Sequence, residues 1–487
     1  MKDQSIARAA SVVIAKTASS WGLTARRPMR TAVVLVSLFL SACATSLPEI
    51  SADKLPAEPP AEFKGKWTLA QPAEAQPRGE WWKAFNDPVL DGLIERADQG
   101  NASVRVAAAR LAQARALVRS TNADRSPQVG LGAGARRAQG IVGGDAGPAR
   151  NLFTLGADFS YEVDLFGRLS HGVQAAKLDA QAQEGLLQSA RLLVQASVAQ
   201  TYLALRALDA ERALVQTTLI TYRETLSLTE RRWRAGDVAE LDVARASTEV
   251  SATESEYLAL ERRRAELENA LAVLVGETPS KFSLQDAEWN TALPTIPAGV
   301  PSTVLTRRPD VSAAQQSMLA AQSRVGVAKA AWFPNVALTG FGGYASTDFD
   351  DLLQWSSRAW LIGALVSLPL LDGGRRKAGV ESTSAQLDGA VAQYREQVLV
   401  AFKDVEDQLA ALRLLSEQAE AQARAVASAS RTSALSGARY RAGYVSQLEL
   451  LDAQRSELRN RRQELQVRSD RYQSTVALVR ALGGGWQ

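Results

Sequence analysis

The clearest alternation in the chain starts at Phe153. In "FTLGADFSYEV", Phe153, Leu155, Ala157, Phe159, Tyr161 and Val163 are set against Thr154, Gly156, Asp158, Ser160 and Glu162. A period of two puts each set on its own face of a β-strand. "WLIGALVSLPL" does the same, with Trp360, Ile362, Ala364, Val366 and Leu368 on one face. A glycine-rich strand precedes each, "PQVGLGAGA" from Pro127 and "PNVALTGFGGY" from Pro334.

Elsewhere the period is seven. Leu187, Val194, Thr201, Leu208, Val215 and Tyr222 recur at that spacing, with Val198 and Leu205 four residues beyond two of them. Val391, Val398, Val405 and Leu412 repeat the pattern, helped by Phe402 and Leu409. Sustained heptads predict helices that supercoil around neighbours. Residues 149–278 and 370–487 contain no proline to interrupt them. A helix from 172 to 234 would run roughly 90 Å at about 1.5 Å per residue. Helices rich in small residues are predicted at about 89–121 and 308–331.

Two stretches are nearly the same, "RRWRAGDVAELDVARA" from Arg231 and "ARYRAGYVSQLELLDA" from Ala438. They align Gly236 with Gly443, 207 positions on. The same spacing joins Pro127 to Pro334, Arg168 to Arg375, Val104 to Val311 and Gly276 to Gly483. The chain is therefore a tandem duplication, about 104–276 and 311–483. Each stretch is the tip of a long helical hairpin. Arg234-Ala235-Gly236 and Arg441-Ala442-Gly443 end a helix, with Gly suited to the left-handed cap. Asp237 is the expected N-cap of the next helix in the first copy, and Ser446 in the second. Turn chemistry alone accounts for such a tip as well as a functional role does.

Strands of about ten residues with one apolar face fit a transmembrane β-strand. They also fit a periplasmic hairpin packed on a soluble core. Four strands cannot close a lipid-facing barrel, because open edges leave backbone groups unpaired in hydrocarbon. In a membrane, several chains must share one barrel. Tyr344, Phe349, Trp355 and Trp360 would then supply an aromatic girdle.

Composition narrows the chemistry. The 487 residues carry a formal charge of +4, but six bases against one acid in the first 42 residues leave the remainder near −1. A nucleic-acid partner loses its electrostatic support. Arg26, Arg27 and Arg30 precede "TAVVLVSLFL", an apolar run too short to span a bilayer. The segment from Met29 is already a compact signal, so the start is either Met1 or Met29. The run ends in "LSAC", Leu40 to Cys43, which resembles the bacterial lipobox. That resemblance implies cleavage before Cys43 and acylation of its sulfur and new amine. A plain secretory signal with an incidental cysteine is the other reading. Ala44 stands where Asp would argue for inner-membrane retention.

Cys43 is the only cysteine and His171 the only histidine, so neither an intrachain disulfide nor a His/Cys metal cluster can form. His171, after "DLFGR", reads as a solvated turn residue. No G-x-S-x-G elbow accompanies it, which disfavours a hydrolase. Trp81 and Trp82 read as packing residues.

Five further motifs occur in order: "WWKAFNDPVLDGLIERA" at Trp81, "YEVDLFGR" at Tyr161, "RRPDVSAAQ" at Arg307, "SLPLLDGGRR" at Ser367 and "YRAGYVSQLELLDAQ" at Tyr440. On them the chain resembles the TolC-like outer-membrane factors, and more closely the NodT-type efflux lipoproteins. The resemblance implies an α+β membrane protein in which a homotrimer shares one β-barrel, four strands per chain, continued by a long coiled-coil α-barrel. It implies a signal peptide at 1–42, a lipid-anchored equatorial segment at 43–88, repeats at 89–279 and 308–487, and a linker at 280–307. Its function would be small-molecule efflux from the periplasm through the outer membrane, with a periplasmic adaptor and an inner-membrane transporter of the resistance-nodulation-division type. No enzyme activity and no cofactor beyond lipid on Cys43 are implied.

The family's gate falls on the second tip. Leu448, Asp452 and Arg455 match its constriction residues and Glu449 a second acidic position. The 207 spacing puts Leu241 and Asp242 opposite Leu448 and Glu449, but Arg245 opposite Asp452. The simpler alternative pairs Asp452 with Arg455 along one helix face. Arg234, Gly236, Arg441 and Gly443 are the candidate adaptor contacts. A duct for secreted polypeptides and a non-conducting lipid-anchored scaffold are the competing functions.

Overall fold

The structure is a computed structural model that describes residues 47–51, 55, 79–139, 148–296 and 307–484. Cys43, the signal segment and most of 43–88 lie outside the described residues, as does much of the linker. The chain divides into two compact units that cut across the repeat: one holds the strands, the other most of the helices.

The first unit is a four-stranded antiparallel sheet in chain order, β1 (Gln128–Ala138), β2 (Arg150–Val163), β3 (Asn335–Ser346) and β4 (Arg358–Ser367). β2 pairs with β3 from Phe153 opposite Ser346 to Val163 opposite Val336, so the two repeats meet in one sheet. The register sorts side chains by face. Val129, Phe159, Gly340 and Ile362 share a row, as do Leu131, Ala157, Gly342 and Trp360. This face is apolar and exposed: Leu131 is 89% accessible, Ile362 80% and Trp360 78%. The opposite face carries Gly130, Gly132, Gly134, Gly156, Asp158 and Thr339. Phe341 lies against Gly156, where an added Cβ would sit 2.6 Å from the ring. Among the described residues β1 and β4 are the sheet's two edges, each paired on one side only. Phe166 stacks on Phe333, centroids 4.8 Å apart, just beyond β2.

The second unit is built from helices α1 (Pro88–Gly100), α2 (Ala102–Ala123), α3 (Arg168–Arg234), α4 (Glu240–Val275), α5 (Pro309–Ala330), α6 (Arg375–Arg441) and α7 (Gln447–Ala481). The helix expected at 89–121 is two helices. Asn101 breaks it, because its side-chain oxygen accepts from the Ser103 and Val104 N–H groups and caps α2. α2 and α5 each have 22 residues, α3 and α6 each 67, and both pairs lie 207 positions apart. At about 1.5 Å per residue, α3 and α6 each run roughly 100 Å. None of the described helices is long and apolar enough to cross a membrane.

α3 starts earlier than the sequence suggests. Asp164 accepts from the Leu169 and Ser170 N–H groups at 3.0 and 2.7 Å and so caps it. Burial works against the Asp164 charge, but the Ser170 hydroxyl and these two N–H groups hold its carboxyl below the ordinary value. His171, expected in a solvated turn, is therefore in the first turn of α3 and half-buried.

The heptads are the core. Leu187, Val194, Val198, Tyr202 and Leu205 of α3 bury against Trp81, Phe85, Leu90 and Ile94, and against Tyr472 and Val476 of α7. Val398, Val405 and Leu409 of α6 bury with Val311 and Leu478. Trp81 and Trp82 are packing residues, both buried. Asp209 of α3, also buried, accepts from Arg206 at 3.1 Å, Arg264 at 2.8 Å and Arg212 at 3.3 Å. Arg206 and Arg212 belong to α3 itself, and Arg264 brings in α4, so this one carboxylate ties α3 to α4 where the apolar seam is interrupted.

Candidate functional site: the hairpin tips

Both tips close by the same backbone device. Gly236 N–H donates to Trp233 O at 2.9 Å and Asp237 N–H to Arg232 O at 2.9 Å; Gly443 donates to Tyr440 O at 3.0 Å and Tyr444 to Arg439 O at 2.9 Å. These are the paired bonds of a Schellman turn, and they need a left-handed residue. Gly236 supplies φ +82° and Gly443 φ +80°. Arg234 and Arg441 are the last residues of α3 and α6, and with both glycines they are exposed.

One expected cap is wrong. Asp237 does not start α4: its N–H is taken by the turn, and α4 begins at Glu240 behind Ala239, with no side-chain cap. Ser446 does cap α7, its Oγ accepting from Glu449 N–H at 3.3 Å. The second tip is the better-capped one.

Beyond the caps the two copies diverge. Asp242 sits 3.5 Å from Arg245 in an i,i+3 pair. Leu448, Glu449 and Asp452 are exposed, with Leu448 50% accessible, while Leu450 and Leu451 beside them are buried. The pairing of Asp452 with Arg455 along the helix does not occur among the described residues. Arg455 turns to α4 instead, its Nε donating to Glu249 Oε2 at 2.8 Å and its Nη2 to the other carboxylate oxygen. Glu249 fixes this guanidinium in its charged form, against a smaller cost of burial.

The polar contacts of this seam were not legible in the sequence. Thr229, one heptad beyond Tyr222, is fully buried and accepts from Gln447 Nε2 at 3.1 Å. Arg462 donates to Glu211 of α3 at 2.7 Å and also reaches Glu256 of α4. The heptad extends to Thr229, which is a signal, but its partner on the other hairpin leaves none. Tyr222 is buried, and that burial pushes its phenol up to about 12, with Glu249 adding to the shift.

Towards the tip the seam thus turns from apolar to polar. Leu208 and Val215 pack with Leu260 and Leu458; below them come Tyr222, Thr225, Thr229 and Gln447. The Tyr222, Tyr440, Gln447 and Gln454 side chains each leave a buried oxygen without a hydrogen-bond partner among the described residues. A partly satisfied polar seam is held weakly compared with an apolar one. A groove of about 850 Å³ runs along it, lined by Tyr222, Glu249, Glu256, Arg455 and Arg462 among others.

The comparisons with known proteins meet this geometry directly. The family model described as outer membrane efflux protein matches residues 93–277 and again 300–484, the same 207 spacing. The chain belongs to the outer membrane efflux protein family. It is 32% identical over 443 residues to the solvent efflux pump outer membrane protein SrpC of Pseudomonas putida, covering 88% of this chain and 94% of SrpC. It is 31% identical over 461 residues to the cation efflux system protein CusC of Escherichia coli O6:H1, covering 93% and 98%. Among solved structures, the outer-membrane channel OprN superposes with a TM-score of 0.84 at 31% identity, covering 91% of this chain and 100% of OprN. This efflux protein is thus an outer-membrane channel component of α+β architecture with a large periplasmic portion.

Proposed function

We propose that three copies of this chain close one twelve-stranded barrel in the outer membrane and that the hairpin tips seal its periplasmic end. The observation that carries this reading is the sheet with two open edges and one exposed apolar face. Hydrocarbon tolerates that face but not those edges, so β4 of one copy must pair with β1 of the next. Face and edges together disfavour a scaffold without a pore.

The gate is the second tip. Leu448, Glu449 and Asp452, exposed on one chain, would each occur three times around the axis. A leucine ring resists wetting, and carboxylate rings beside it favour cations over anions. Arg455 acts as a clamp rather than a pore residue, because it is spent on Glu249. Asp242, paired with Arg245, adds a weaker acidic position at the first tip. A periplasmic adaptor engages the exposed turns at Arg234, Gly236, Arg441 and Gly443, binds the splayed tips more tightly than the closed ones, and so shifts the population towards open. An inner-membrane transporter of the resistance-nodulation-division type loads the duct. Cys43 carries the lipid anchor; the channel uses no other cofactor and performs no covalent chemistry. The solvents and cations in the relatives' names make small toxic solutes the cargo class.

Single-channel conductance in a planar bilayer tests the gate. Wild type is expected to be nearly closed, and the Leu448→Ala, Asp452→Ala double variant to conduct several-fold more. If both insert as trimers and neither conducts, the gate assignment fails and the scaffold gains ground. A large conductance in wild type would favour a polypeptide duct.

A further inference from the structure

The loop end of the sheet carries cations that neither barrel closure nor gating uses. β1 ends with Arg136 and Arg137 near its last residue, β2 begins at Arg150, and β4 begins at Arg358. The register pairs Arg137 with Asn151 and Ala138 with Arg150, whereas Arg358, opposite Tyr344, shares its row with Leu155 and Ala133, four residues along β1 from Arg137. Alternation then sorts them by face. Arg137 and Arg358 fall on the apolar face, in line with Leu131 and Ile362. Arg136 and Arg150 fall on the glycine-rich face.

On the apolar face no other charge interrupts the strands from these arginines to the ends at Val129, Val163, Val336 and Val366. A charge is costly on a lipid-facing strand at mid-bilayer and cheap at the headgroup level. The neighbours mark that level. Tyr344 and Trp360 stand beside Arg358 on the same face, and Phe349 meets Phe153 edge-on at 5.6 Å. Aromatic rings of this kind collect where headgroups meet hydrocarbon.

Arg358 is also held in place. Its Nε donates to the Trp355 carbonyl at 2.8 Å, and its guanidinium lies over the Trp355 ring, 3.2 Å from the centroid. The two terminal nitrogens remain on an exposed side chain, in the fork that takes phosphate oxygens two at a time. Asp348, Asp350 and Asp351 lie in the β3–β4 loop at this end, but none forms an ion pair with Arg137 or Arg358 among the described residues.

We infer that Arg137 and Arg358 form a rim that binds the phosphate groups of anionic lipid in the outer leaflet. The inference rests on the shared-barrel reading, in which β4 of one copy lies beside β1 of the next. Closure then brings Arg358 and the neighbouring copy's Arg137 to one rim, three times around the barrel. The partner is a membrane lipid because charge and aromatic belt coincide on the face that meets hydrocarbon.

Native mass spectrometry of the purified full-length protein, offered phosphatidylglycerol or phosphatidylcholine, reads this directly. Wild type should retain at least fivefold more phosphatidylglycerol than phosphatidylcholine. Arg137→Gln with Arg358→Gln should abolish that preference, and Arg136→Gln with Arg150→Gln should keep it. No preference in wild type overturns the rim whatever the variants do. So does a preference that survives the apolar-face pair, or one that the glycine-face pair removes equally. The same spectra count the copies: a trimer without lipid preference sinks only the rim, whereas a wild type that is not trimeric sinks the barrel reading as well.

Discussion

Arg455 of α7 grips Glu249 of α4, with Nε donating to Oε2 at 2.8 Å and Nη2 closing on the second oxygen. This two-pronged contact joins the second hairpin to the first just inside the exposed Leu448 and Asp452. Tyr222 and the groove lie beside it. It is the ion pair between the hairpins nearest the second tip among the described residues; the next, from Arg462, lies seven residues further along α7.

Loosening this tie should open the tip without unfolding it. Arg455 is 43% accessible, so its pair contributes at most about 1 kcal/mol to stability. Arg455→Gln and Glu249→Gln are each expected to raise single-channel conductance several-fold, with a thermal midpoint close to wild type. The double variant should add little to either. Additive effects would mean that the two residues act on separate parts of the seam.

The caps make a second pair of predictions. Ser446→Ala removes the acceptor for Glu449 N–H and should cost about 1 kcal/mol. Asp237→Ala removes no cap, because α4 starts behind Ala239, and should change stability by less than about 0.5 kcal/mol. Chemical denaturation of the two variants checks this, and equal losses would restore Asp237 as a cap.

Gly443 and Gly437 should respond in opposite directions. Nothing lies within 4 Å of a Cβ added at Gly443, so Gly443→Ala costs only backbone strain, about 1 kcal/mol, from its φ of +80°. Gly437, inside α6, has room for a methyl with Leu450 Cδ1 at 3.9 Å. Gly437→Ala should stabilise by roughly 0.5–1 kcal/mol through helix propensity. Thermal melts of both proteins give the two signs.

Asp310 sets an acid limit. Burial opposes its charge, but the hydrogen bonds and charge of Arg308 outweigh that and hold its carboxyl below the ordinary value. A depressed folded value stabilises the protein above the unfolded value, near pH 4, and that stabilisation is lost as pH falls through the folded value. Asp310→Asn should therefore cost about 2 kcal/mol at pH 7 and progressively less below about pH 4. A loss that stays constant down to pH 2 would show that the pair does not titrate in this way.

Much of this was written along the chain. The period of two in "FTLGADFSYEV" and the sevenfold spacing from Leu187 to Tyr222 are set by backbone geometry, which fixes where each side chain points whatever it meets. Gly236 and Gly443 carry the same kind of local instruction, and the 207 spacing repeats it. Partners are another matter. That β2 lies beside β3, that Asn101 divides the first helix, that Asp237 gives its N–H to a turn, and that Arg455 leaves Asp452 for Glu249 were decided only in the folded molecule. Arg455 and Glu249 lie 206 positions apart in the chain. A guanidinium takes whichever carboxylate the packing of two helices brings within reach, and helix packing is settled by the summed burial of whole faces, not by the spacing of two charges.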